Sequence, residues 1–114
     1  MNLLDTGVII EMIRGKKFRP GIISLITAIE VLRGIEDKKR QKIRILLEES
    51  FSLLNLDNST IETYCVIYQR LKEGGALLPD ADLLIAATAV AHDLSLETND
   101  RHFQRLEQMG LKLI

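Results

Sequence analysis

The amino-acid sequence predicts an α/β fold, a single domain with a central parallel sheet of about five strands and helices on both faces. Three observations carry this. Short, nearly continuous apolar runs recur along the chain, the pattern of strands buried on both faces rather than one. Segments with apolar residues at helical spacing separate those runs. Strands that alternate with helices pair in parallel through right-handed crossovers. At 114 residues, with 46% hydrophobic and 27% charged side chains, the chain has the size and composition of one globular domain spanning residues 1–114. No repeat, low-complexity tract or linker divides it.

Leu3-Leu4 ends a buried strand, and Asp5-Thr6-Gly7 breaks it. Val8, Ile9, Met12 and Ile13 then recur at helical spacing until Gly15 closes a short helix. Lys16-Lys17-Phe18-Arg19-Pro20 is a basic loop, and Gly21 to Ile26 is the second strand. Thr27 is expected to cap a helix that carries Ile29, Val31 and Leu32 and stops at Gly34. Glu36 to Glu49 forms a charged helix with Ile43, Leu46 and Leu47 inward, and Phe51 to Leu56 a third strand. Asp57-Asn58-Ser59 opens a long helix whose expected buried stripe is Ile61, Tyr64, Cys65, Tyr68 and Leu71, and Gly74-Gly75 ends it. Asp82 to Ala91 is apolar nearly all round, as in a helix packed on most sides. Leu94 to Leu96 is a fourth strand, Arg101 to Met109 a short helix, and Leu111 to Ile114 a terminal strand.

The net charge of −1 gives no global attraction to nucleic acid or to anionic membranes, so any nucleic-acid site must be a local basic patch. No uncharged run approaches the ~20 residues of a membrane helix. Asp5 and Glu11 interrupt the apolar N-terminal stretch, which argues against a secretory signal. Cys65 is the single cysteine, so no intramolecular disulfide forms; this fits a reducing, cytoplasmic setting.

Asp5, Glu30, Asp82 and Asp100 each stand where an apolar run ends or a helix begins. In an open α/β sheet, ligands bind in the crevice outside the carboxyl ends of the strands. Carboxylates gathered there suit Mg²⁺ or Mn²⁺, which prefer oxygen ligands. Each acid also has a plain structural alternative. Asp5 fits the cap of the helix that begins near Gly7. Thr27-Ala28-Ile29-Glu30 matches a capping box, in which the glutamate reaches back to the cap amide. Asp82 could complement its helix dipole. Asp80, however, already supplies a natural N-cap, leaving Asp82 as an extra charge among apolar neighbours, costly to desolvate unpaired. Asp100 could be an ordinary turn residue. Jointly the acids would repel one another at one sheet edge, a strain that a bound cation relieves.

Leu3-Leu4-Asp5-Thr6, Ile26-Thr27-Ala28-Ile29-Glu30-Val31-Leu32-Arg33-Gly34, Asp80-Ala81-Asp82-Leu83-Leu84-Ile85-Ala86-Ala87-Thr88-Ala89 and Thr98-Asn99-Asp100-Arg101-His102-Phe103 follow one another from end to end. On these stretches the chain resembles the PIN-domain nucleases, and most closely the VapC-type toxins of prokaryotic toxin–antitoxin pairs. The resemblance implies Mg²⁺- or Mn²⁺-dependent hydrolysis of RNA phosphodiester bonds. It places Asp5, Glu30, Asp82 and Asp100 at the acidic, metal-binding catalytic positions, with Thr6 and Thr98 as small polar residues beside them. It also implies a homodimer and a cognate antitoxin that blocks the site. The chain departs from the family at Gly7, where Asn or Ser usually follows Asp-Thr, and in a short stretch between Asp5 and Glu30.

RNA needs cations outside an acidic pocket, and Arg14, Lys16, Lys17 and Arg19 are the candidates. Lys38, Lys39, Arg40, Lys42 and Arg44 read instead as a solvated face, since Glu48 and Glu49 follow. Aromatic residues are only 4% of the chain, which points target choice to RNA shape rather than base stacking. His92 and His102 read as surface or satisfied residues. Two other readings compete. A phospho-acceptor receiver domain would use Asp57 as acceptor and Thr98 as switch hydroxyl, but it needs an acidic pair after the first strand and leaves Glu30 and Asp82 idle. A PIN fold serving RNA processing or binding, without a toxin role, is distinguished by genomic neighbourhood.

Overall fold

The computed structural model describes residues 1–114. Leu3 and Leu4 are 0% and 1% exposed, although they are consecutive and so point to opposite faces of their strand. Only a central strand covered on both sides buries both. The sheet has five parallel strands, β1 (Leu3–Leu4), β2 (Ile22–Ser24), β3 (Ser52–Leu54), β4 (Ser95–Glu97) and β5 (Lys112–Leu113), in the order β3-β2-β1-β4-β5. The helices are α1 (Thr6–Gly15), α2 (Leu25–Arg33), α3 (Asp37–Ser50), α4 (Asn58–Glu73), α5 (Asp80–Ala91) and a 3₁₀ helix over Arg101–Met109. The expected α/β architecture and element order are the observed ones.

Leu3 joins a core layer with Ile67 and Leu71 of α4, Leu83 and Ile85 of α5, and Phe103 of the 3₁₀ helix. Leu4 joins the opposite layer with Val8, Ile9 and Met12 of α1, Val31 of α2 and Leu47 of α3. Gly21 permits the close approach there: a Cβ at this position would lie 2.6 Å from Leu4 Cδ1. Leu3 pairs with Ile22 and Leu96, and Leu4 with Glu97, so β1, β2 and β4 end side by side. The chain turns from β1 towards β2 and β3 on one side and places β4 and β5 on the other. The carboxyl ends of β1 and β4 therefore flank a topological switch point, where α/β sheets open a crevice.

Several boundaries differ from the sequence expectation. β2 stops at Ser24, and the Ser24 hydroxyl, not Thr27, caps α2 by accepting the Ile26 N–H at 3.0 Å. Thr27 lies inside α2, fully buried. Lys16, with φ of 53°, rather than Gly15, makes the left-handed turn that ends α1. β3 is confined to Ser52–Leu54. On α4 the buried residues are Thr60, Ile67 and Leu71, while Ile61 and Cys65 face solvent; the helix packs on α5 through a face rotated from the expected stripe. α5 begins at Asp80 with Pro79 in the cap position, and the Asp80 carboxylate accepts the Tyr64 hydroxyl at 2.7 Å, so Asp80 is not the cap. No helix is long and apolar enough to cross a membrane.

Candidate functional site

Asp5 is the first residue after β1 and the N-cap of α1. Its Oδ1 accepts the Thr6 N–H at 2.8 Å, and its Oδ2 accepts the Thr98 hydroxyl at 2.7 Å. The capping alternative is thus correct for Asp5, and it still leaves the carboxylate at the sheet edge. Thr98 Oγ1 also accepts the Asp100 N–H at 3.0 Å, so one hydroxyl joins the end of β1 to the loop after β4. Asp100 in turn caps the 3₁₀ helix, its Oδ1 accepting the His102 N–H at 2.9 Å and lying 2.7 Å from His102 Nδ1.

Glu30 sits in the second turn of α2, one turn beyond the reach of a capping box, because the helix starts at Leu25. Its Oε1 accepts the Thr6 hydroxyl at 2.7 Å. Its other oxygen lies 3.7 Å from the guanidinium of Arg33, a long contact to a solvent-exposed side chain that contributes little. Asp82 is the third residue of α5 and has no side-chain hydrogen bond or salt bridge within the chain. Among the acids of the site, it alone has no partner.

These acids converge. Asp5, Thr6, Gly7, Glu11, Glu30, Asp82, Asn99 and Asp100 line one open cleft of about 380 Å³ that contains no hydrophobic side chain and no lysine or arginine. Every acid expected from the sequence is there, delivered by four separate elements. Glu11 is a fifth carboxylate that the sequence reading passed over. It lies one helical turn after Gly7, an i,i+4 spacing that carries it to the same face of α1. Its two oxygens are each 3.4 Å from the Asn99 amide. The groups stand apart rather than clenched: no three carboxyl, imidazole or thiol groups form a ready-made coordination shell.

Burial pushes the Asp82 carboxyl above its ordinary value of 3.8, and the neighbouring charges of Asp5, Glu30 and Asp100 push it further. Asp5 is also raised, chiefly by burial; hydrogen bonds from Thr98 and Thr6 oppose this, and the charges of Asp100 and Glu30 add to it. Asp100 is lowered, mainly because it accepts the His102 N–H. Hard oxygen donors, mutual repulsion, no basic lining and one unpartnered acid are together a donor set that fits Mg²⁺ or Mn²⁺.

Of the basic candidates, Arg14 lines a groove with Ile10, Ile13, Val31 and Ile35 that shares Glu30 with the acidic cleft. Lys16 and Lys17 are exposed. Arg19 is engaged by both carboxylate oxygens of Glu97, one of them at 2.9 Å from Nη1. An apolar groove between α2, α3 and β3, lined by Leu25, Ile29, Leu32 and Leu53, holds no comparable chemistry; Arg44 and Glu48 at its edge pair with each other. Asp57 lies outside the acidic cleft: it caps α4 by accepting the Thr60 N–H at 2.8 Å and faces His92. That placement removes the receiver-domain alternative, whose expected lysine after the last strand is also missing from the cleft: Lys112 lies within β5 and pairs with Asp93.

A family model described as the PIN domain matches residues 3–108. Ribonuclease VapC1 of Methanocaldococcus jannaschii is 37% identical over 115 residues, covering 97% of this chain and 85% of the relative. The structure of VapBC-1 from nontypeable Haemophilus influenzae superposes with a TM-score of 0.84 over 99% of this chain and 96% of that one, at 24% identity, which speaks for the fold. A toxin–antitoxin complex from Klebsiella pneumoniae is similar at 29% identity and a TM-score of 0.73, covering 90% of each chain.

Proposed function

The chain belongs to the PIN-domain family, within its VapC branch, and on that footing we propose that it is a divalent-metal-dependent endoribonuclease, the toxin of a toxin–antitoxin pair. The observation that carries the reading is the single cleft lined by Asp5, Glu30, Asp82 and Asp100, acids from four separate elements with no lysine or arginine among them. Asp5 and Asp82 would hold Mg²⁺ or Mn²⁺ directly, and Glu30 and Asp100 directly or through water. When bound, such a cation lowers the pKa of a water and offsets charge on the phosphate.

The chain's own groups do the positioning. Thr6 N–H and the Thr98 hydroxyl each hold one oxygen of Asp5, a residue that lines the cleft, and neither bond uses up an oxygen's accepting capacity. The Thr6 hydroxyl fixes Glu30, and Thr98 ties the Asp100 backbone to Asp5. RNA would be held by cations outside the cleft; Arg14, beside Glu30, and the exposed Lys16 and Lys17 are placed for this, with Arg19 available if it exchanges Glu97 for phosphate. We assign a cytoplasmic, homodimeric protein countered by a cognate antitoxin. The Klebsiella toxin–antitoxin complex supports the antitoxin part of that assignment, and a basic antitoxin side chain would match the acidic cleft in charge.

Incubation with a pool of structured RNA tests the reaction. Cleavage is expected with Mn²⁺ or Mg²⁺, to stop on chelation with EDTA, and to return when metal is restored. Cleavage that continues at full rate in EDTA would contradict the metal-dependent reading.

A further inference from the structure

Thr27 is completely buried, yet it does not use its hydroxyl as a buried helical threonine usually does. Such a hydroxyl costs free energy unless bonded, and inside a helix its common partner is the carbonyl one turn back. Thr88 of α5 does this, donating to the Leu84 carbonyl at 2.8 Å. The Thr27 hydroxyl instead reaches out of α2 to Thr6 Oγ1 at the start of α1, 3.1 Å away. Thr6 has a single hydroxyl proton, and two oxygens lie within reach of it: Thr27 Oγ1 at 3.1 Å and Glu30 Oε1 at 2.7 Å. An ionised carboxylate only accepts, and charge-assisted bonds are the stronger ones. The Thr6 proton therefore goes to Glu30, and the Thr27 proton points at Thr6 Oγ1.

We infer that Thr27 is a positioning residue of the acidic cleft, acting through Thr6 to hold the Glu30 carboxylate in place. The inference rests on the proposed reading of the cleft as a cation site. Thr27 lies one helical turn before Glu30 on the same face of α2, so the two are fixed relative to each other. Thr6 is the link that ties this pair to Asp5, whose Oδ1 takes the Thr6 N–H. One residue of α1 thereby sets the separation of two acids that stand 25 positions apart in the chain, from 5 to 30. With the Thr27 hydroxyl gone, Thr6 Oγ1 loses its donor and one of the two contacts that anchor it, so the oxygen that holds Glu30 is less firmly placed.

The test compares full-length Thr27→Val, which keeps the side-chain shape, and Thr27→Ser, which keeps the hydroxyl, with the wild type. Thermal unfolding reports folding, and calorimetric titration with Mn²⁺ reports the site without any RNA. Partners of metal ligands typically contribute 10–100-fold in affinity. Thr27→Val should unfold cooperatively and bind Mn²⁺ about 10-fold more weakly, with Thr27→Ser within about twofold of the wild type. In a Thr6→Val background, Thr27→Val should add no further loss. Should Thr27→Val lose its cooperative transition, Thr27→Ala removes the hydroxyl without bulk and carries the same expectations. Wild-type Mn²⁺ affinity in Thr27→Val, or an equal loss in Thr27→Ser, overturns the inference and leaves the cleft reading standing. Failure of the wild type itself to bind Mn²⁺ overturns the cleft reading, and this inference with it.

Discussion

Asp82→Asn lowers RNA cleavage about 100-fold or more while leaving the protein folded and, in EDTA, more heat-stable than the wild type at neutral pH. The two effects have one cause. Asp82 is half-buried at the start of α5 without a partner in the chain, so its charge serves whatever enters the cleft and costs the empty protein free energy. Cation-assisted charge stabilisation is worth several kcal/mol in a transition state. A loss of about 3 kcal/mol is roughly 100-fold in rate. For stability the sign follows from the raised carboxyl. Burial, with the Asp5, Glu30 and Asp100 charges, lifts the folded-state value above 3.8. The stabilisation this gives is fully present below 3.8 and is lost as pH rises through the folded value. Asparagine does not titrate and escapes that loss. A gain of 1 kcal/mol moves Tm by about 4–8 °C in a domain of this size, and solvent screening holds Asp82 to the lower end or below it. Scanning calorimetry in EDTA should therefore find the Asn variant ahead at pH 7, the gap closing below 3.8. An Asn variant less stable than the wild type at pH 7 would contradict this origin of the charge strain.

Thr98→Val is expected to lower kcat/KM about 10–100-fold, the range for partners of metal ligands. The Thr98 hydroxyl donates to Asp5 Oδ2 at 2.7 Å and accepts the Asp100 N–H at 3.0 Å, so its removal frees two acids together. Asp5 also loses the strongest of the bonds that hold its carboxyl down against burial. The stability cost should be modest, about 1 kcal/mol for a partly buried hydrogen bond. Thr98→Ser should recover most of the activity, since it restores the hydroxyl alone. Equal losses in the Val and Ser variants would assign Thr98 to packing rather than to orientation of Asp5. Steady-state cleavage with both variants separates these outcomes.

Much of this was legible in the chain because the information was local. Most strands lie in an apolar stretch, each helix has its own spacing, and Asp5, Asp82 and Asp100 each follow a strand or open a helix, while Glu30 stands one turn further into α2. The sheet edge that gathers them follows from parallel pairing alone. Errors arose where two local solutions compete. Ser24 and Thr27 are both hydroxyl residues near a helix start, and Leu25-Ile26 is as apolar as the strand before it, so periodicity could not place the boundary. That ambiguity made Glu30 look like half of a capping box. On α4, apolar side chains occur on more than one face, and only packing against α5 selects Ile67 and Leu71 over Ile61 and Cys65. Long-range pairings were out of reach altogether. Nothing near Arg19 announces Glu97, and nothing near Thr6 announces that its hydroxyl will join Thr27 to Glu30. Glu11 was recoverable, since its helical spacing from Gly7 was available.

Whether Asp5, Glu30, Asp82 and Asp100 act as one cation site is decided by a crystal of the wild-type protein soaked in Mn²⁺ and measured for anomalous scattering. The predicted result is a peak in the acidic cleft bonded to oxygens of Asp5 and Asp82, and its disappearance in the Asp82→Asn crystal. A cleft without a peak at saturating Mn²⁺, or a peak held by other residues, would contradict the assignment.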